Sequence, residues 1–282
     1  MKKDQTQILL KAEVEGPEEA LEEGLSLLAE DWGGCWVLSE VPLRAAFFLK
    51  DPQDLPRFEA QVRKVGLSLV RTEECPVEDW GRRFREHFRP LRVGRRLWIV
   101  PPWARGRASG EEIEIVIDPG QAFGTGQHPS TALVLETLEE FFQERPWTSV
   151  LDVGTGSGIL ALAAAKLGAP KVVGLDVDPV AVEEARRNAT LNALDLEFST
   201  EPLERHPGRY QLVLANISAL ELRRLAPALS GHLLPEGRLL LSGFLEKEIP
   251  EMLEIYRPLG FSPLRVRSKE EWGFLALVRE KG

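Results

Sequence analysis

The sequence contains few residues that can form disulfides or bind metals. Of its 282 residues, two are cysteine, Cys35 and Cys75, and four are histidine. Two cysteines are too few for a disulfide framework or a zinc cluster, which favours a reducing compartment. The histidines show no spacing that is typical of a metal site. We therefore expect a cytoplasmic protein without a metal site.

Long apolar runs and an excess of positive charge are also missing. No segment approaches the roughly 20 apolar residues that span a bilayer, and the apolar run in the first residues, MKKDQTQILLK, is too short for a signal peptide. The net charge is −9, from 35 Lys and Arg against 44 Asp and Glu, which argues against a protein whose main role is to bind the phosphate backbone of nucleic acids. We expect a monomer that binds neither membrane nor nucleic acid, and a basic partner fits its charge.

The first 75 residues show the pattern of a small domain of their own. Ile8, Leu10, Ala12 and Val14 alternate with polar residues as in a half-buried strand, and two helical segments and three further strand-like runs follow. The order β-α-β-β-α-β is that of the split βαβ, or ferredoxin-like, arrangement. Because this fold hosts many unrelated functions, we expect only that residues 1–75 form a recognition module.

Residues 76–92 are predicted to form a helix that links two domains. Apolar side chains fall on one stripe at helical spacing, and arginines occupy the remaining positions. The arginines could offer a basic surface to nucleic acid, or they could be solvated or paired with acidic neighbours. The second interpretation is favoured, since a run of charges is usually a solvated face.

From residue 93 to residue 282, strand and helix patterns alternate. Such alternation indicates parallel strands with right-handed crossovers, in an open, doubly wound α/β sheet. The last two strand-like runs, SPLRVRS and EWGFLALVR, are separated by a few polar residues and predict an antiparallel hairpin at the sheet edge.

The stretch LDVGTGSG joins a predicted strand to a predicted helix. Its glycines allow a tight turn and let a ligand approach the N–H groups at a helix N-terminus, although their G-x-G-x-G spacing departs from the dinucleotide fingerprint. Asp176, at the end of the next strand and 22 positions after Gly154, is suited to accept hydrogen bonds from ribose hydroxyls. Asp178 precedes Pro179 and is predicted to cap a helix.

A second glycine-rich stretch, AFGTGQHPST, precedes these strands. Residues 124–126 predict a flexible loop, and Ser130 or Thr131 is predicted to cap the following helix. The stretch is either a capped helix start after a turn, or a lid with Gly126 and Thr131 near the ligand. A role for His128 as a structural hydrogen-bonding residue is favoured over direct chemistry.

Asn216 ends a third buried strand, in LVLANIS. It could be a simple turn residue, but ligands of open α/β sheets bind outside the carboxyl ends of the strands. The glycine turn at 154–158, Asp176 and Asn216 are all predicted to converge there.

Several motifs in fixed order resemble one known family. AFGTGQHPST, LDVGTGSGIL, GLDVDP, ANIS and LLLSGFL follow EDWGRRFREHFRPLRVGRRLWIVPPW and precede EEWGFLALVR, and they are similar to the PrmA family of ribosomal protein L-11 methyltransferases over essentially the whole chain. The resemblance implies a seven-stranded, S-adenosylmethionine-dependent methyltransferase domain and an N-terminal domain that recognises the substrate protein. It implies a cofactor site at Phe123, Gly124, Thr125, Gly126, Thr131, Gly154, Gly156, Asp176 and Asn216.

The implied reaction is methyl transfer to an amine of ribosomal protein L-11, either a lysine side chain or the N-terminal amine. Charge disperses in such a transition state, so proximity and alignment can supply most of the acceleration. A lysine amine, with a pKa near 10.4, must lose a proton first, and desolvation favours that loss. We expect Asn216 to act catalytically by orienting the amine, through its side-chain or its main-chain carbonyl, after water takes the proton, and we identify no dedicated base.

Other functions remain open at this point. A methyltransferase of the same architecture could act on another protein's lysines or on a small amine. A nucleic-acid base or glutamine methyltransferase is disfavoured because ANIS lacks the proline pair that often follows the asparagine. An NAD-dependent oxidoreductase is disfavoured by the glycine spacing and the extra FGTG stretch. A catalytically silent binding module ranks last.

Overall fold

A computed structural model describes residues 8–16, 21–32, 36–40, 43–49, 51–76, 88–118, 126 and 128–279. The chain divides between Phe88 and Arg89 into two compact units. Within the described ranges, no helix is long and apolar enough to cross a membrane.

The N-terminal unit is a small α+β fold. Its elements are β1 (Ile8–Gly16), α1 (Leu21–Trp32), β2 (Trp36–Glu40), β3 (Leu43–Leu49), α2 (Leu55–Lys64) and β4 (Ser68–Pro76). The strands form an antiparallel sheet in the order β2-β3-β1-β4. The predicted β-α-β-β-α-β arrangement is therefore confirmed.

The alternating pattern of β1 explains how this unit buries its core. Leu10, Ala12 and Val14 face the same side of the sheet and are buried, as the period of a strand requires. They share one hydrophobic cluster with Phe58 and Val62, which α2 contributes at helical spacing. The sheet is thus covered on one face through positions that the sequence pattern marks.

The C-terminal unit is built on a seven-stranded sheet. The elements that form and cover it are α3 (Pro129–Glu144), β8 (Ser149–Val153), α4 (Ile159–Lys166), β9 (Lys171–Leu175), α5 (Pro179–Leu191), β10 (Glu197–Ser199), β11 (Tyr210–Asn216), α6 (Ala219–Gly231), β12 (Leu233–Leu245), α7 (Ile249–Tyr256), β13 (Phe261–Lys269) and β14 (Trp272–Arg279). The order is β10-β9-β8-β11-β12-β14-β13. The strands from β10 to β12 are parallel, and β14 and β13 form the predicted antiparallel hairpin.

The sheet buries both faces, which confirms the doubly wound α/β class. One hydrophobic cluster joins α3, α4 and α5 to one face, and a second joins α6 and α7 to the other. The strand order reverses at β8, since β9 follows on one side and β11 returns on the other. Open α/β sheets bind ligands at such a switch point, beyond the carboxyl ends of the strands.

A smaller sheet precedes α3 and corrects one prediction. The strands β5 (Leu91–Val93), β6 (Leu97–Val100) and β7 (Ile113–Val116) pair in the order β5-β6-β7. The predicted linker helix at 76–92 is wrong at its end, because Leu91 pairs with Ile99 in a hairpin that turns at Gly94, with φ +64°. Residues 77–87 of that predicted helix lie outside the described part of the chain.

Candidate functional site

A cavity lies where the carboxyl ends of β8, β9 and β11 meet. Its volume is about 960 Å³. Five residues of the cofactor site that the resemblance implies line it together, and they come from four different elements or the turns that follow them: Thr131, Gly154, Gly156, Asp176 and Asn216. The predicted convergence therefore occurs at the switch point of the sheet.

The glycine turn after β8 forms one wall of this cavity. Gly154 N donates to Leu175 O at 2.8 Å, which ties the turn to the end of β9. Gly154, Gly156 and Gly158 all have positive φ, a region that glycine adopts without strain. A Cβ on Gly154 would also overlap Ile217 Cγ2. The turn thus requires glycine for both its conformation and its close approach to the chain after β11.

Asp176 lies just beyond β9 and is fixed by two backbone donors. Its Oδ2 accepts from Gly156 N at 2.9 Å, and its Oδ1 accepts from Asp178 N at 3.0 Å. Each carboxylate oxygen keeps a second lone pair, so the group can still accept hydrogen bonds from a ligand. Asp178 has the predicted structural role, because its side chain accepts from Val180 N at the start of α5.

At the end of β11, the side-chain amide of Asn216 is held through its nitrogen, which orients its oxygen as a hydrogen-bond acceptor. Its Nδ2 donates to Thr131 Oγ1 at 3.1 Å, and Thr131 is fully buried in the first turn of α3. No described residue donates to Asn216 Oδ1, although this atom is itself buried. A buried amide oxygen without a donor is costly, which is consistent with a bound ligand that supplies one.

The start of α3 is capped differently from the prediction. The N-cap is His128, whose Nδ1 accepts from Ser130 N at 3.3 Å and lies 2.6 Å from Ser130 Oγ. Pro129 occupies the first helical position, so Ser130 and Thr131 fall inside the first turn and neither can be the cap.

His128 also packs edge-on against Trp272, with ring centroids 4.4 Å apart. Burial lowers the pKa of His128 below its usual value, so the ring is neutral near pH 7. The contact brings β14 next to the start of α3 and so to the Thr131–Asn216 pair. Trp272 was missed at the sequence level, where its only signal is a tryptophan that opens an edge-hairpin strand.

The FGTG stretch is only partly described. Phe123, Gly124 and Thr125 lie outside the described residues. Gly126 is buried with φ +84°, and a Cβ there would press on Ile99 and Ile159. Gly126 is not among the residues that line the cavity, so its predicted place at the cofactor stays a prediction.

Asp152 is a second residue that the sequence reasoning missed. It lies in β8, is fully buried, and its Oδ2 accepts from Thr155 Oγ1 at 2.6 Å and from Ala161 N at 3.2 Å. Its Oδ1 has no partner among the described residues. Burial, with a smaller contribution from the Asp176 charge, raises the pKa of Asp152 to about 7. The available signal was an acidic residue inside the apolar run VLDV.

The raised pKa predicts a specific pH dependence of stability. Between pH 4 and pH 7 the unfolded chain releases the Asp152 proton while the folded chain retains it, so stability falls as the pH rises. We expect Asp152→Asn, which mimics the protonated form, to remove this dependence. Because the pKa of Asp152 is raised to about 7, ionisation of the buried carboxyl costs roughly 4 kcal/mol of stability at pH 8, which the variant avoids, and the two proteins differ little at pH 4. Urea unfolding at both pH values measures it.

The control for this prediction is Asp195→Asn, which changes an exposed aspartate on the connection after α5. It should leave the pH profile of the wild type intact. An Asp152→Asn protein that is destabilised equally at pH 4 and pH 8 would contradict the assignment.

The residues around the cavity fit the cofactor that the resemblance implies. The Asp176 carboxylate suits a ribose, and the side chains of Val153, Leu175 and Leu203 provide apolar walls. The buried Asn216 Oδ1 adds to the same cavity a hydrogen-bond acceptor that has no described donor. Among the described residues, no group of three or more His, Cys, Asp or Glu is placed to hold a metal ion.

Comparison with known proteins gives consistent matches. A model of the family described as ribosomal protein L11 methyltransferase (PrmA) matches residues 38–280. A ribosomal protein L11 methyltransferase of Pelobacter propionicus is 51% identical over 187 residues, which cover 64% of this chain and 60% of that protein. One of Dechloromonas aromatica is 41% identical over 243 residues, covering 84% of this chain and 79% of that protein.

A solved structure agrees with these matches. The ribosomal protein L11 methylase of Lactobacillus delbrueckii subsp. bulgaricus is 32% identical, with a TM-score of 0.64, over 69% of this chain and 100% of that one. The family match spans most of the chain and includes every described residue that lines the cavity. The chain belongs to the PrmA family of ribosomal protein L11 methyltransferases.

Proposed function

We propose that this chain transfers methyl groups from S-adenosylmethionine to amines of ribosomal protein L11, on lysine side chains, the N-terminal amine, or both. The observation that carries the proposal is the Asn216 amide, whose nitrogen is engaged by Thr131 and whose buried oxygen has no described donor. The names of the relatives supply the acceptor protein. The negative charge of the chain suits a basic protein partner.

The cofactor half of the proposal rests on the glycine turn and Asp176. The N–H group of Gly156 holds the Asp176 carboxylate in place. The carboxylate would accept hydrogen bonds from the ribose hydroxyls. A carboxylate at this position disfavours a 2′-phosphate, because two anions would meet. Thr131 contributes indirectly, since its hydroxyl orients Asn216.

The acceptor half rests on Asn216 Oδ1. S-adenosylmethionine, when bound, supplies an electrophilic methyl group on a sulfonium. Asn216 Oδ1 accepts one N–H of the neutral amine and so directs the amine's lone pair, while the buried setting disfavours the ammonium form and its proton leaves to water. Thr131 keeps the amide from rotating. The rate gain comes from alignment, for which no charged catalytic group is required.

The N-terminal unit is proposed to recognise the substrate protein. It forms a compact fold with its own hydrophobic core, as expected for a separate recognition module. We further propose that the protein acts in the cytoplasm as a monomer.

The test is incubation of the purified protein with labelled S-adenosylmethionine and ribosomal protein L11, followed by mass mapping of the labelled amines. We expect label on L11 lysines or on its N-terminal amine. L11 variants with lysine replaced by arginine, and L11 with a blocked N-terminus, separate the two kinds of acceptor. Label on another protein of a whole lysate, with L11 unlabelled, would contradict the proposed acceptor.

A further inference from the structure

Asn188 on α5 connects two parts of the chain that are distant in sequence. Its side chain is 1% exposed. Its Oδ1 accepts from Asp118 N at 2.9 Å, and its Nδ2 donates to Ser157 O at 2.9 Å. Ser157 belongs to the glycine turn that lines the cavity, and Asp118 lies two residues beyond β7. A single buried amide thus holds both segments.

The Ser157 carbonyl is placed to fix the conformation of the glycine turn at residues 154–158. Ser157 is 2% exposed, so water cannot replace the Asn188 donor at low cost. It lies next to Gly156, whose N–H fixes the Asp176 carboxylate. The turn is also pressed against α5, where a Cβ on Gly158 would touch Ala185. The Ser157 carbonyl shares a peptide unit with Gly158 N, which donates to Thr155 O at 2.8 Å, and the Thr155 carbonyl shares a peptide unit with the Gly156 N–H. A displaced Ser157 carbonyl is therefore expected to displace the donor that holds Asp176.

Asn192, four residues further on at the C-cap of α5, provides an internal comparison. Its Oδ1 accepts from Val116 N at 2.9 Å and its Nδ2 donates to Val116 O at 2.7 Å, so it pairs with β7 much as a neighbouring strand would. It is 8% exposed. Asn192 anchors the same segment as Asn188, but none of its hydrogen bonds reaches the glycine turn.

We propose that Asn188 is a positioning residue for the cofactor site, and that it acts through the Ser157 carbonyl on the glycine turn and on Asp176. The inference rests on the proposed use of this cavity for S-adenosylmethionine. Asn192 serves stability alone. The two asparagines look alike in the sequence, ARRNATLNA, and only the structure separates their roles.

Three variants test the proposal. Asn188→Ala removes both hydrogen bonds, and Asn188→Asp keeps the acceptor for Asp118 N while losing the donor to Ser157 O at pH 8. Asn192→Ala is the matched control. With S-adenosylhomocysteine as the probe in calorimetry, we expect both Asn188 variants to weaken binding by about 10-fold, and Asn192→Ala by about 2-fold or less. Thermal unfolding should show comparable stability losses for the two alanine variants.

Amide hydrogen exchange in the protein without ligand gives a second readout. The Gly156 amide should exchange faster in both Asn188 variants than in the wild type, and at the wild-type rate in Asn192→Ala. Because no ligand is involved, the exchange result tests the effect of Asn188 on the glycine turn independently of binding. Failure of the wild type to bind S-adenosylhomocysteine would contradict the proposed function and not this effect. Equal effects of Asn192→Ala on Gly156 exchange, or wild-type exchange in Asn188→Asp, would overturn the inference.

Discussion

Replacement of Asp176 by alanine is expected to weaken binding of S-adenosylmethionine about 100-fold, as measured by calorimetry, because it removes charge-assisted hydrogen bonds worth roughly 1.5–3 kcal/mol each. The carboxylate is held by Gly156 N and Asp178 N, so its remaining lone pairs are in place before a ligand arrives. Such preorganisation lowers the cost of binding. The variant also leaves both N–H groups without their acceptor, which loosens the glycine turn.

The matched control removes a carboxylate outside the cavity. Glu183→Gln changes an exposed side chain of α5 that pairs with Arg186, and the resulting change in charge equals that of Asp176→Ala. It should bind the cofactor as the wild type does. Equal loss in both variants would show that the negative charge of the region attracts the cofactor, without a specific role for Asp176.

The elements of the site that could be predicted from the sequence are those with local signals. Parallel-sheet geometry gives the positions of three of them: a glycine turn after a strand rich in β-branched residues, an aspartate at the end of the next strand and an asparagine at the end of a third. Since carboxyl ends of parallel strands meet at one edge, the convergence of Gly154, Asp176 and Asn216 needs no contact information. The Asp178 cap is also local, because proline follows it directly.

The parts that were not predicted depend on contacts between distant segments. The choice of His128 over Ser130 as the cap depends on where Pro129 enters the helix and on the packing against Trp272, 144 positions further along the chain. The buried pairing of Asn188 with Ser157 and Asp118 joins segments 31 and 70 positions apart. Propensity and periodicity describe each helix alone, so they contain no information on such partners.

The environment of the Asp152 carboxyl also could not be predicted from the sequence. Its sequence context indicates a carboxylate in a buried strand, yet that Oδ1 has no partner in the described part of the chain follows only from the surrounding packing. The end of the linker helix is a further example. Leu91 falls within the helix predicted for residues 76–92, but its pairing with Ile99 across Gly94 overrides that local preference.

Replacement of Asn216 by alanine is expected to lower kcat about 100-fold, the order of effect that loss of alignment produces, while cofactor affinity changes little. The alanine lacks the amide oxygen that accepts the N–H of the acceptor amine, so the amine's lone pair is no longer directed. The measurement is methylation of ribosomal protein L11 under single-turnover conditions, beside calorimetry with S-adenosylhomocysteine.

Variants at Thr131 test whether the orientation of the Asn216 amide matters, as distinct from a general effect of mutation at the site. Thr131→Val keeps the volume in the first turn of α3 but removes the hydroxyl that accepts from Asn216 Nδ2, so the amide is free to turn its oxygen away. We expect a partial loss of kcat, on the order of 10-fold, and recovery in Thr131→Ser, which restores the hydroxyl. If Asn216→Ala retains full turnover, or if serine and valine at position 131 behave alike, the amide does not orient the acceptor.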